Sequence, residues 1–228
     1  MPRNARKQLQ RGCFHVLNRG NQRQTLFHDE QDYALFLDLL TQGQARHNVG
    51  LWGYCLMGNH WHLVVEVARI DDLSKWLHWI CTRQARLFHL ARPELGGGHL
   101  YQGRYKSFPI EDEIHLFDVL RYVEANPVRA RLVSNARNWL WSSLSVEEVN
   151  RGLVPVVRPQ LCPWNRDAEW EAAVNRPLEG EPLKEIQQSL GKGAPFGSLA
   201  WRQKIASEQG LQSTIRPPGR PRKSNIPS

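Results

Sequence analysis

Residues 49–67 read VGLWGYCLMGNHWHLVVEV. Two runs of apolar and β-branched residues flank a single Gly58-Asn59 pair, the composition of two antiparallel strands joined by a tight turn. The Gly-Asn order suits a type II′ turn better than type I′. In an extended chain alternate side chains share a face. His60 and His62 therefore point together, and Trp61 points the other way with Leu63, Val65 and Val67. A strand that could be apolar throughout opens with two imidazoles on one side.

Upstream, CFHVLNRG predicts a first strand over about 13–18 that ends in the Gly20-Asn21 turn. Residues 28–48 carry acids in their opening turn and Tyr33, Phe36, Leu37 and Leu40 at helical spacing. Downstream, residues 71–90 repeat that period through Leu73, Trp76, Leu77, Ile80 and Leu87, which places Trp76 and Trp79 with the core rather than on a ligand surface. After Pro93 and the Gly96–Gly98 break, HLYQGRYKSFPIE (99–111) alternates as a fourth strand. DEIHLFDVLRYVEAN (112–126) then predicts a third helix halted by Pro127, because the residue before proline is disfavoured in the α region. The order β-α-β-β-α-β and a further helix is the ferredoxin-like pattern. The fold class expected is α+β, an antiparallel sheet with helices on one face. Residues 1–148 form this domain, 149–210 a small, mostly helical extension entered through a Pro-rich connection, and 211–228 a basic tail expected to be disordered until bound.

With 41% hydrophobic residues and nine Trp in 228 residues, the chain can bury a proper core. Its net charge is +8, which favours a polyanionic partner such as nucleic acid. The charge sits at the two ends: residues 1–25 hold six basic residues and no acid, and residues 151–228 hold twelve basic and seven acidic. The four cysteines lie far apart with no CxxC pair, so neither a zinc ribbon nor a disulfide framework is suggested, and buried thiols in a reducing compartment are expected. No apolar run approaches the roughly 20 residues needed to span a bilayer, so a soluble cytoplasmic protein is expected.

Two imidazoles on one strand face can share a metal if both are neutral and a third ligand arrives from elsewhere. An isolated HxH also fits two histidines satisfied by hydrogen bonds. In RYVEANPVRARLV, Tyr122 and Asn126 stand four apart, one turn along a helix face. A carboxamide oxygen suits a hard cation and a phenol is a nucleophile. The plainer alternative is that Tyr122 packs and Asn126 caps the helix before Pro127. Mixed nitrogen and oxygen ligands suit Mg²⁺ or Mn²⁺.

Several stretches now carry a resemblance: LNRGNQRQTLFHDEQDY (17–33), YCLMGNHWHLVV (54–65), YQGRYKSFPIEDE (101–113), LRYVEANPVRARLV (120–133) and WSSL (141–144). In this order they resemble the REP-associated tyrosine transposases, members of the HUH single-strand endonuclease superfamily related to single-tyrosine insertion-sequence transposases. The resemblance covers nearly all of residues 10–145, and GLQSTIRPPGRPRK (210–223) is similar to the C-terminal extension of some members. It departs at Gly58 and Arg131, where the family usually has proline and glycine, and at Ala194, where arginine is common.

The resemblance implies a metal-dependent DNA transposase and endonuclease. It would nick and rejoin single-stranded DNA beside palindromic hairpins through a covalent 5′-phosphotyrosine, with Tyr122 as nucleophile and His60, His62 and Asn126 as metal ligands. Asn18, Arg19 and Arg23, in the turn after the first strand, are candidates to read bases. Arg104 and Lys106 are candidates to contact phosphate or to place positive charge near the tyrosine. Arg220 and Arg222 lie in a Pro-constrained segment that resembles a minor-groove hook, and a solvated basic tail is the alternative. The resemblance implies a monomer, with a dimer as the alternative. Two other readings remain at this point: a hairpin-binding protein that has lost cleavage, and a small-substrate metallohydrolase, which leaves the basic ends unexplained.

Overall fold

The computed structural model describes residues 12–145 and 167–216. The strands β1 (Gly12–Arg19), β2 (Val49–Met57), β3 (His60–Val67) and β4 (Lys106–Ile110) form one antiparallel sheet in the order β2-β3-β1-β4, the ferredoxin-like arrangement. The hairpin turns at residues 58 and 59 as expected, but neither has a positive φ, so its turn is not type II′. The Gly58 carbonyl accepts from the Leu26 and Phe27 N–H groups at 2.8 and 3.1 Å, which ties the turn to the preceding loop. Open space surrounds Gly58, so nothing at this position demands glycine. The fourth strand is shorter than the sequence suggests. Tyr101 makes an isolated bridge to Gly20 and the Gln102 N–H is drawn to the Arg19 carbonyl (2.9 Å), which bends residues 102–104 away and leaves Arg104 ahead of the strand.

Both faces of this sheet carry apolar residues that need a covering layer. On one face lie α1 (Glu30–Arg46), N-capped by Asp29, and α2 (Ile70–Ala91). Their stripes Phe36, Leu37, Leu40 and Leu73, Trp76, Ile80 bury against Phe14, Val16, Trp61, Leu63 and Val65. On the other face α3 (Glu113–Glu124), N-capped by Asp112, packs Leu116, Leu120 and Val123 against Cys55, Val64, Phe108 and Ile110. Helices on one face therefore describes α1 and α2, while α3 covers the opposite side. A bulge in β2 between Leu51 and Gly53 shifts the alternation, so Leu51 and Tyr54 face the first core and Cys55 and Met57 the second.

Pro127 does not halt the third helix. The break falls at Ala125 (φ −82°, ψ 0°), and the chain resumes as α4 (Asn126–Arg129) with Pro127 in its first turn, where a missing N–H costs nothing. The extension forms α5 (Ala168–Asn175), α6 (Gly180–Lys192), α7 (Leu199–Gln209) and α8 (Gln212–Ile215). Trp170, Val174, Ile186 and Phe196 join the second core, so α3 lies between sheet and extension. Arg121 donates to the carbonyls of Ala173 (2.8 Å) and Arg176 (3.2 Å), and Trp170 Nε1 donates to the buried Glu124. Ala194 is buried. The expectations for residues 217–228, with Arg220 and Arg222, lie outside the described residues. None of the described helices is long and apolar enough to cross a membrane.

Candidate active site

Directly opposed residues of an antiparallel sheet share a face. On the face covered by α3, β1 to β4 lay out three rows: Met57, His60 and Arg19; then Cys55, His62, Leu17 and Lys106; then Val64, His15 and Phe108. Register alone thus brings three histidines, one arginine and one lysine to one surface.

Over this surface α3 and α4 place Tyr122, Asn126 and Arg129. The Tyr122 ring meets His62 edge-on, centroids 6.3 Å apart, and His62 meets His60 likewise at 5.2 Å. The Arg129 guanidinium stacks 3.8 Å from the Tyr122 ring centre, donates to the Tyr122 carbonyl at 2.7 Å and donates to Asn126 Oδ1 at 2.9 Å. Asn126 Nδ2 donates to the carbonyls of Tyr122 (3.3 Å) and Val123 (3.1 Å). Reversing the amide would set oxygen against two carbonyls and an NH₂ against a guanidinium, so the network fixes which end is which. One lone pair of Oδ1 is committed to Arg129 and one remains.

The imidazoles are held neutral. Burial, aided by the charge of Arg19, pushes His60 down to about 4. His62 lies well below the usual histidine value through burial and then the neighbouring His15, His60, Arg129 and Arg19. Burial and Arg129 push His15 down to about 3. Arg129 itself is lowered by burial. The tautomer of His60 follows from its partner. Asn59 donates Nδ2 to the Arg23 carbonyl (3.2 Å), so its Oδ1 faces His60 Nδ1 at 2.7 Å and must accept. His60 Nδ1 carries the proton and Nε2 is left bare. The His62 Nδ1 is engaged with His15 Nε2 at 2.9 Å, which leaves Nε2 as the nitrogen His62 can offer. Two neutral imidazole nitrogens and a carboxamide oxygen are donor types that fit a divalent cation such as Mn²⁺ or Mg²⁺.

The expected DNA contacts divide. Arg19 sits beside His60 on the histidine face, its Nε buried without a hydrogen-bond partner among the described residues. Lys106 is exposed on the same face at the start of β4. Asn18 points to the opposite side, where Oδ1 accepts from Arg19 N–H (2.9 Å) and Nδ2 donates to the Gly103 carbonyl (3.4 Å). There it lines a cavity of about 970 Å³ between α2 and residues 99–105, with the exposed Arg104 on its rim. Arg23 is exposed, its backbone in the left-handed region (φ 63°). Trp76 is fully buried, while Trp79 is flanked by the guanidiniums of Arg46 and Arg83.

Sequence reasoning missed His15 and Arg129. Their signals were a histidine on the same strand face as the HxH pair, visible only through the β1–β3 register, and an arginine two helical turns after Tyr122. A second cluster, Glu111, Asp112 and His115, brings possible ligand atoms within 4.8 Å of one another. Its carboxylates are engaged structurally: Asp112 caps α3 and accepts from His115, and Glu111 accepts from Ser198 N–H and Oγ–H ahead of α7.

A family model described as "Transposase IS200 like" matches residues 9–126. Among solved structures, the chain is similar to a REP-associated tyrosine transposase bound to a REP hairpin, with TM-score 0.52 and 20% identity over 68% of this chain and 90% of that one. It also matches a candidate transposase from Deinococcus radiodurans R1, with TM-score 0.38 and 20% identity over 54% and 96%. No curated protein matches.

Proposed function

The chain belongs to the IS200-like transposase family, and we propose that it is a metal-dependent DNA transposase of the REP-associated kind, nicking and rejoining single strands beside palindromic hairpins. The observation that carries this reading is the Tyr122 ring edge-on to His62 of its own chain, with Asn126 and Arg129 locked into the same network.

Tyr122 Oη attacks the scissile phosphorus. The phenol gives up its proton as an O–P bond to tyrosine forms, the P–O3′ bond breaks and O3′ takes up a proton to leave as a hydroxyl, so the 5′ side stays on the protein as a phosphotyrosyl ester. Rejoining reverses the step with a 3′-OH, and the stored ester needs no ATP. A divalent cation held by His60, His62 and Asn126 would polarise the scissile phosphate as a Lewis acid. Arg129 fixes the ring plane of Tyr122 and places positive charge against it. Arg19 and Lys106, on the same face, bind the flanking phosphates. By analogy with the hairpin-bound relative, the DNA partner is a folded repeat. Such a protein would work in the bacterial cytosol, at the nucleoid.

A labelled hairpin with a single-stranded flank, incubated with protein and Mn²⁺, is the test. The wild type is expected to nick it and to leave a detergent-resistant adduct, and Tyr122→Phe to form none while binding the hairpin within a few-fold. A wild type that binds the hairpin but never cuts it would make this a hairpin-binding protein without catalysis.

A further inference from the structure

His15 has no assigned role, yet it is a fully buried imidazole on β1 touching a proposed metal ligand. We infer that His15 is a positioning residue that accepts the Nδ1–H of His62 and so holds that ring in the tautomer whose Nε2 bears a lone pair. This inference rests on the metal reading given above.

Three observations carry it. The first is geometric: His15 Nε2 and His62 Nδ1 are 2.9 Å apart, with the two rings within 11° of parallel. One nitrogen donates and the other accepts, so the direction of this bond decides which nitrogen of His62 is bare. The second is cost. His15 Nδ1 is buried with no hydrogen-bond partner among the described residues. An orphaned buried polar group costs about 1–3 kcal/mol, and an apolar side chain between Val64 and Phe108 would avoid it. What histidine supplies there and leucine cannot is the ring nitrogen facing His62. The third is the companion ligand. His60 shows the same arrangement, its Nδ1–H given to Asn59. Each proposed ligand histidine then gives its Nδ1–H to its own acceptor, and such hydrogen bonds orient ligating imidazoles.

Apoprotein with ¹⁵N-labelled histidine, read by long-range ¹H–¹⁵N NMR, tests the tautomer without any variant. His62 is expected to carry its proton on Nδ1, and a proton on Nε2 would overturn the inference. Mn²⁺ titrations read by electron paramagnetic resonance test the consequence. His15→Phe is expected to weaken Mn²⁺ binding about 10–100-fold. His15→Gln, whose side-chain carbonyl can accept the same N–H, is expected to restore affinity to within a few-fold. A folded Phe variant that binds Mn²⁺ like the wild type would remove His15 from the site while leaving the metal reading standing. A wild type that binds no Mn²⁺ would instead remove the metal reading, and this inference with it.

Discussion

Arg129 does three things with one planar group: it stacks on Tyr122, anchors the Tyr122 carbonyl and holds Asn126 Oδ1. Lysine cannot reproduce that fork. Arg129→Ala and Arg129→Lys are each expected to slow adduct formation by about 10²-fold, the usual effect of small misplacements around a reacting group. Hairpin affinity should change only a few-fold, read by denaturing gels beside binding titrations. The buried histidines predict a pH dependence of a definite sign. In the unfolded chain they protonate near pH 6.5, whereas folded His60 and His15 protonate only near 4 and 3. Below about 6.5 the unfolded state binds more protons, so stability is lost as pH falls from there towards 4 and is flat in this respect above 7. Denaturant melts at pH 7, 6 and 5 should show the fall, and His60→Gln should make it shallower. The HxH pair was legible because a period of two is local. His15 was not, because its meeting with His62 depends on a strand register, and Arg129 was hidden by the assumption that Pro127 ends the helix.

The α3–α4 break shows how an element can be read correctly in kind and wrongly at its end. Pro127 forbids little in a first helical turn, so α4 continues and carries Arg129 back over Tyr122. Just past the end of α4 and its cap Ala130 comes Arg131, whose φ of 57° is left-handed and whose N–H donates to the Val128 carbonyl at 2.9 Å. Glycine pays no Cβ penalty there. Arg131→Gly is expected to stabilise the protein by about 0.5–1 kcal/mol, with the larger chain entropy of unfolded glycine offsetting part of the relief. Thermal melts should show a rise and nicking should be unchanged, because the cap geometry is kept. The element order was legible throughout, since helical and strand periods alternate cleanly along residues 12–126. The fourth strand was overextended, because Tyr101 alternates in sequence but its neighbour Gln102 is captured by Arg19.

Seen as a molecule, the chain is a two-sided sheet whose helix α3 is held from behind by its own extension. Composition announced helices after residue 167 but gave no sign of where they dock, because Trp170, Ile186 and Phe196 meet α3 and β4 only through tertiary packing. Trp170 is 3% exposed, meets Phe117 edge-on at 5.2 Å and donates to Glu124 two residues after Tyr122. Trp170→Ala is expected to cost about 3–5 kcal/mol, the range for a buried Trp, and leaves Glu124 without that donor. Adduct formation should fall with it, because α3 loses the wall behind it. An unchanged melting temperature would mean that the extension does not brace the helix. All of these expectations converge on the claim that Tyr122 attacks DNA from α3 onto the histidine face. Peptide mapping by mass spectrometry of the trapped protein–DNA adduct tests it most directly. The account predicts a nucleotide phosphate on the peptide containing Tyr122 and on that residue alone, and a phosphate found on any other side chain would contradict it.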